Sequence, residues 1–537
     1  MSNPIRSTSR RDFLKVTGTL SLAAGIAASL AACGGGTTKK KKAGGATADT
    51  SKANKDGAIV AGISYELGTN GYDPATTSSA LTIAANWHTL EGLTELDPAD
   101  RTVYNALAKE TPKKVDDTTW EVTLRDGAKF SDGTDVTAED VVAAFGKATA
   151  EGSIFGQFFT FIDSMEAKDT TTVTVHLKHP FASLKERLAI LMVTPASADA
   201  AAMKSNPIGS GPYKYTEVGE QKVVAVPNEY YNGNAPATVD TINWLPLKDD
   251  TPRLSAAYDG TVDIVESVPA SAKEDLTSKG WKVDAKPGYG NAFMMFNTQK
   301  APFDKPEVRR AFLRAINRQS LIDTALDGQA VPATSFLPEA NPFYKKPSTD
   351  LSYDKDAAAK LLSDAGVSGL TINLTTTDHP WIVAMVPQIK ADLEAIGVTV
   401  THEASASNAM YSNITDIDNP TYDVIIAPGD PSVFGNDPGI IMSWWNGDNV
   451  WSKKRDGWQV SDPDSFNQLQ GIIEEAGQVE GDAAKAKWGE AQDLLAEKTV
   501  LFPLVFRNVL TGSNPEKVDG FEPIACTGLQ LVGVSVK

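Results

Sequence analysis

Along the chain, apolar and polar residues alternate with two different periods. Glu121-Val122-Thr123-Leu124 alternates as a half-buried strand does. Arg125-Asp126-Gly127 follows it with turn chemistry and a glycine free to take positive φ, which predicts a hairpin. Ser131-Asp132-Gly133 predicts a second turn. Thr137-Ala138-Glu139-Asp140 then forms an N-cap pattern ahead of Val141, Val142 and Phe145 at helical spacing. Residues 172–178 put Val173, Val175 and Leu177 on one face of a strand, and residues 222–226 and 241–247 also read as strands. A different rhythm begins at residues 307–318, where Val308, Ala311, Phe312, Ala315 and Ile316 share one helical face. Residues 355–365 read as a helix closed by Gly366, 371–375 as a strand, 382–396 as a helix closed by Gly397, and 398–402 and 422–426 as further strands. Such alternation predicts parallel βαβ units, whose ligands gather at strand carboxyl ends. The segment just after Ile426 therefore becomes the first place to look for a site.

Length extends this picture, because 537 residues exceed what one hydrophobic core usually supports and imply two or three lobes. The net charge of −18 hides a basic leader: residues 1–57 carry ten Lys/Arg and three Asp/Glu, leaving 40 against 65, or −25, for the rest. So acidic a body repels phosphate backbones and argues against nucleic acid as a partner.

The leader has its own chemistry. Arg10 and Arg11, followed by Phe13-Leu14-Lys15 and the weakly apolar stretch 16–32, have the order of a twin-arginine export signal. That stretch falls short of the ~20 strongly apolar residues of a spanning helix. It ends in Leu30-Ala31-Ala32-Cys33, which resembles the bacterial lipobox, so cleavage before Cys33 and a diacylglycerol on its thiol are expected. Residues 34–57, with Lys39-Lys40-Lys41-Lys42, cannot bury enough surface to fold and read as a tether. Cys526, in an apolar context, reads as a buried inert thiol and is not expected to pair with Cys33.

Several stretches of the body resemble the oligopeptide- and dipeptide-binding solute-binding proteins of ABC importers, family 5. The most specific runs from Trp120 to Val142 (WEVTLRDGAKFSDGTDVTAEDVV). Others are Asp73-Pro74-Ala75 with Glu91-Gly92-Leu93, Pro207-Ile208-Gly209-Ser210-Gly211-Pro212-Tyr213, Pro302-Phe303-Asp304 with Val308-Arg309-Arg310-Ala311, and Tyr422-Asp423-Val424. The resemblance implies an α/β bilobal clamp with an additional inserted domain. It implies a discontinuous first lobe (58–93, 206–295 and 505–537), an insert (94–205) and a second lobe (296–504). It also implies a lipid-anchored receptor in the cell envelope, monomeric and without cofactor, that hands peptides or other small solutes to permease and ATPase subunits.

In that family an acid shortly after the Tyr-Asp-Val strand holds the ligand's ammonium. Here Asp430, beside Gly429, is the favoured candidate, and Asp437, beside Asn436, is its competitor; either acid is also a turn former. Trp444, Trp445, Trp451 and Trp458 place four of the chain's ten tryptophans within fifteen residues, a density suited to a stacking surface. On a strand, only one of Trp444 and Trp445 would face the cleft. Two alternatives stand beside the peptide reading: the same fold carrying an oligosaccharide or a metal chelate, and an exported serine hydrolase using Ser352 and Lys355 of an S-x-x-K match. The hydrolase lacks S-D-N, K-T-G and G-x-S-x-G motifs. The five histidines are scattered without metal-ligand spacing, and no P-loop is present.

Overall fold

The computed structural model describes residues 57–65, 71–151 and 153–537. Arg10, Arg11, Cys33 and the expected tether up to residue 56 lie outside the described residues. Among those described, no helix is long and apolar enough to cross a membrane.

An eleven-stranded sheet organises the body. Its strands in chain order are β1 (Ala58–Ile63), β2 (Tyr213–Val218), β3 (Val223–Pro227), β4 (Thr241–Pro246), β5 (Ile264–Val265), β6 (Lys282–Phe296), β7 (Ala330–Pro332), β8 (Thr371–Thr377), β9 (Thr399–Ser405), β10 (Val424–Gly429) and β11 (Leu501–Ser513). The spatial order is β2-β3-β4-β1-β5-β11-β6-β10-β8-β9, with β7 on the flank of β11. Parallel pairs occur on both sides, β4 with β1 with β5 on one and β10 with β8 with β9 on the other. The long antiparallel pair β6 and β11 crosses between them. The expected parallel βαβ units are thus present in residues 371–429. In β10, Val424, Ile425, Ile426 and Ala427 are fully buried, the continuous apolar run of a strand covered on both faces.

A separate four-stranded sheet is built from residues 113–177. Within it Thr119–Thr123 pairs with Thr172–Leu177, whose alternate residues Val173, Val175 and Leu177 are buried as their spacing predicts. The hairpin expected at Arg125-Asp126-Gly127 does not form. Gly127 makes the turn at φ +67, but Thr119–Thr123 pairs with Lys113–Lys114 before it and with Thr172–Leu177, 49 or more residues downstream, not with the segment just after the turn. A strand that buries the same apolar face wins over local closure, while Arg125 is drawn into a two-pronged ion pair with Glu91, both contacts at 3.0 Å. The helix Ala138–Ala148 starts where expected, with Thr137 and Asp140 forming a reciprocal capping box.

Two long helices of the sequence reading are each broken in two. Residues 307–318 end as a helix at Ala315, Ile316 turns extended (ψ 117), and Asn317 caps a second helix, Arg318–Ala325, by accepting from the Ser320 N–H. Residues 382–396 divide into Pro380–Val383 and Val386–Glu394, with Pro387 in the first turn of the second piece. A proline lacks the N–H and fits only a helix start. Trp444 and Trp445 lie on the helix Pro438–Asn446 rather than a strand, so opposite-facing side chains no longer follow.

Candidate ligand-binding cavity

The crossing strands create the cavity. Between the pairs Pro287↔Asn508 and Asn291↔Phe506, β6 advances four residues while β11 advances two, so Gly288-Tyr289-Gly290 bulges out opposite Arg507. The bulge depends on glycine, since a Cβ on Gly288 would lie 2.6 Å from the Arg507 carbonyl oxygen. At the carboxyl end of β10 the chain again passes too close for a side chain: a Cβ on Gly429 would lie 2.5 Å from Cζ2 of Trp445. A cavity of about 520 Å³ opens there, with Gly290, Asn291, Gly429, Asp430, Trp444 and Trp445 among its lining residues. Tyr65, Glu266, Ser267, His379, Trp381 and Arg507 also line it, so it draws on both sides of the crossing strands.

Its floor is aromatic. Trp445 is fully buried edge-on against Phe293 and Phe336, and Trp444 packs on Phe158 and Phe434. The Arg455 guanidinium packs over the Trp451 ring at 4.3 Å and the Tyr411 ring at 4.0 Å, and the two rings meet edge-on. Arg455 forks onto Asp416 at 2.7 and 2.9 Å, so this pair is electrically closed. Burial pushes the Tyr411 phenol up to about 12.

The remaining charges of the cavity are not closed in this way. Glu266 is buried and accepts from the Ser64 N–H at 3.0 Å and from its hydroxyl. Asp430 accepts from the Ser432 N–H (3.2 Å) and hydroxyl (2.5 Å) on one oxygen, and from the Thr527 N–H (2.7 Å) and hydroxyl (2.9 Å) on the other. All of these donors are neutral. Arg507 donates to the Ser267 hydroxyl at 2.5 Å and lies over the Trp381 ring at 4.9 Å. His379 shares a hydrogen bond of 2.9 Å with the Thr377 hydroxyl and meets Tyr65 edge-on; burial pushes its pKa down to about 4, leaving it neutral at pH 7. Asn291 Oδ1, Trp445 Nε1 and Trp451 Nε1 are buried in the lining without a protein partner.

The residues singled out from sequence therefore separate. Gly429, Asp430, Trp444 and Trp445 line the cavity; both tryptophans do so, because a helix presents them. Trp451 joins them, whereas Trp458 is fully buried and donates its Nε1–H to Ser465. Asn436 and Asp437 lie elsewhere. The Asn436 carbonyl accepts from Asn341 at 2.9 Å. Asp437 caps the helix Pro438–Asn446 at Ile440 and pairs with Arg187 at 2.8 Å. Asp430, favoured from sequence as the acid for the ligand's ammonium, also straps the C-terminal segment to the end of β10 through Thr527. Ser352 is exposed and donates to Asp350 at 2.6 Å, outside the cavity. Cys526 is buried and its thiol is pushed up to about 12, mainly by burial, the inert state its context predicts. No group of three or more metal-ligating side chains occurs among the described residues. Sequence reasoning missed Arg507, whose signal was a lone cation interrupting the apolar run Leu501-Phe502-Pro503-Leu504-Val505-Phe506.

Comparison with known proteins identifies the family and the fold. Residues 102–453 match the family model of bacterial extracellular solute-binding proteins, family 5 Middle, and the chain belongs to that family. The glutathione-binding protein GsiB of Shigella boydii is 30% identical over 324 residues, 58% of this chain and 62% of that relative, so the chain spans less than two thirds of its length. Among solved structures, the murein tripeptide binding protein MppA of Escherichia coli superposes with a TM-score of 0.78 at 21% identity, over 90% of this chain and 99% of that one. NikA of Staphylococcus aureus, in complex with Ni(L-His)2, does so at 0.77 and 18%, over 89% and 100%. These likenesses establish the fold as the bilobal α/β clamp with an additional domain of periplasmic solute-binding proteins.

Proposed function

We propose that this chain is the receptor of an ABC importer, capturing short peptides by closure of its two lobes (58–93, 206–295 and 505–537 against 296–504, with 94–205 as insert) and delivering them to a membrane permease. The observation that carries the reading is the central cavity. It sits where two strands cross between the sides of the sheet, its size lies within the range of small-ligand sites, and it combines an aromatic floor with charges of both signs that no protein ion cancels. A zwitterion with apolar side chains matches that lining. Asp430 supplies negative charge for the ligand's ammonium, since the donors on its oxygens are backbone N–H groups and hydroxyls and none of them is a cation. The names of the relatives point the same way, since GsiB is named for glutathione and MppA for a murein tripeptide. Export through Arg10 and Arg11 and anchoring through Cys33 would place the receptor beside its permease, and ATP hydrolysis belongs to the partner subunits.

The test is calorimetric titration of the mature protein with trialanine and its N-acetylated form, together with small-angle scattering. Binding of the free peptide with compaction, and weaker binding of the acetylated one, is expected. An unchanged radius of gyration at saturation removes the clamp mechanism, and binding of an oligosaccharide in place of any peptide removes the cargo assignment.

A further inference from the structure

We infer that Arg507 is the carboxylate anchor of the central cavity, so that ligands are selected as free acids; the inference rests on the reading of this cavity as the solute site. Two arginines line the cavity, and they differ in one respect. Arg455 is spent on Asp416, held by a two-pronged contact and packed against the faces of Tyr411 and Trp451. Arg507 has no carboxylate within ion-pair distance among the described residues; its partners are one hydroxyl and one indole face. A guanidinium carries five N–H donors, and a single hydroxyl leaves most of them unsatisfied by protein. Its planar fork matches a carboxylate bidentately, which a lysine ammonium does not.

The position is prepared for this task. Arg507 stands on β11 directly opposite the Gly288-Tyr289-Gly290 bulge, where the sheet opens, and is fixed from two sides by Ser267 and Trp381 before any ligand arrives. Such fixing lowers the entropy lost on binding. Asp430 lies at the other end of the same bulge, its Oδ2 3.3 Å from where a Cβ of Gly290 would be. Acid and cation are therefore set around one irregularity in the crossing strands, and a peptide with both termini free satisfies both. Buried Asn291 Oδ1, without a protein partner, is left to accept from a ligand N–H beside them.

The test compares the mature parent with Arg507→Gln and Arg507→Lys, titrating trialanine and trialanine amide. Amidation is expected to weaken binding to the parent by about thirty-fold or more, the loss typical of a truncated charge pair. Arg507→Gln should weaken the free acid to a similar extent, and amidation should then cost less than about three-fold, because both changes remove the same contact. Arg507→Lys should recover part of the loss. If Arg507→Gln binds the free acid as the parent does, the anchor is overturned while the peptide reading stands. If the glutamine variant loses acid and amide equally, Arg507 is merely structural and the proposal also falls. Should the parent bind no peptide, the peptide reading fails, and the anchor is judged on dicarboxylic acids, hydroxy acids and the nickel complex of histidine. Selective loss of a bound acid in Arg507→Gln supports it, and failure of the parent to bind any carboxylate overturns it.

Discussion

A second cavity, of about 620 Å³, lies between residues 157–187 and 437–488, and by volume alone it outranks the central one of about 520 Å³. The two differ in how charge is handled. In the outer cavity the buried ions cancel: Arg187, 6% exposed at its side chain, meets Asp437, 14% exposed, at 2.8 Å. In the central cavity Glu266 and Asp430 are held by neutral donors and Arg507 by a hydroxyl. Partners of the first kind close a structure, because a buried ion left alone costs several kcal/mol. Groups of the second kind stay available to an incoming ligand of opposite charge. Uncancelled charge, more than space, is what favours the central cavity as the proposed ligand site.

Four substitutions would break or sharpen this contrast. Trp445→Ala should do most, removing a fully buried indole from the central floor at about 3–5 kcal/mol of stability and abolishing tight ligand binding, read by urea denaturation and calorimetry. Arg187→Ala should cost about 3 kcal/mol by leaving Asp437 buried and unpaired, yet leave ligand affinity unchanged; a drop in affinity would mean the outer cavity is no mere packing feature. Asp430→Ala should cost about 2 kcal/mol, since it strands the Thr527 and Ser432 donors, and should weaken binding as well, so that denaturation and titration both move.

The smallest effect tests a charge kept out of the fold altogether. Fully buried His88 shares a hydrogen bond of 3.0 Å through Nδ1 with the Ala85 carbonyl and accepts from the Leu531 N–H at 2.9 Å through Nε2, a neutral Nδ1–H tautomer. Burial pushes its pKa down to about 4. The unfolded chain, with an ordinary histidine, takes up the proton first, so stability falls as pH drops from about 6.5 toward 4. His88 should contribute about 1.5 kcal/mol of loss between pH 6.5 and 5. His88→Gln should flatten the stability profile by that amount relative to the parent.

Much of the architecture was legible along the chain because it rests on local signals. The capping box at Thr137 and Asp140, the alternation in Val173-Thr174-Val175, the helix stop at Gly366 and the apolar run of β10 each state their structure within a few residues. Even the breaks at Ile316 and Pro387 had markers, an asparagine cap and a proline, that a single apolar periodicity overrode. The site was legible only to the segment. Gly429 and Asp430 stand at the end of β10 as strand-end reasoning expects, but nothing local separates Asp430 from Asp437, since each caps the helical segment that follows it.

What separates them comes from far away in sequence. Asp437 is taken up by Arg187, 250 residues earlier, and Asp430 meets Thr527, 97 residues later, at the wall of a cavity that also contains Arg507. The sequence by itself determined the family-bearing motifs, the succession of strands and helices, and which residue types were at hand near β10. Only the tertiary structure decided which acid is neutralised, which cation stays open, and that two adjacent tryptophans on a helix both reach the cavity. The reason is physical: helix caps and strand patterns depend on neighbours a few residues apart, whereas the state of a buried charge depends on whichever groups the completed fold brings within about 4 Å of it.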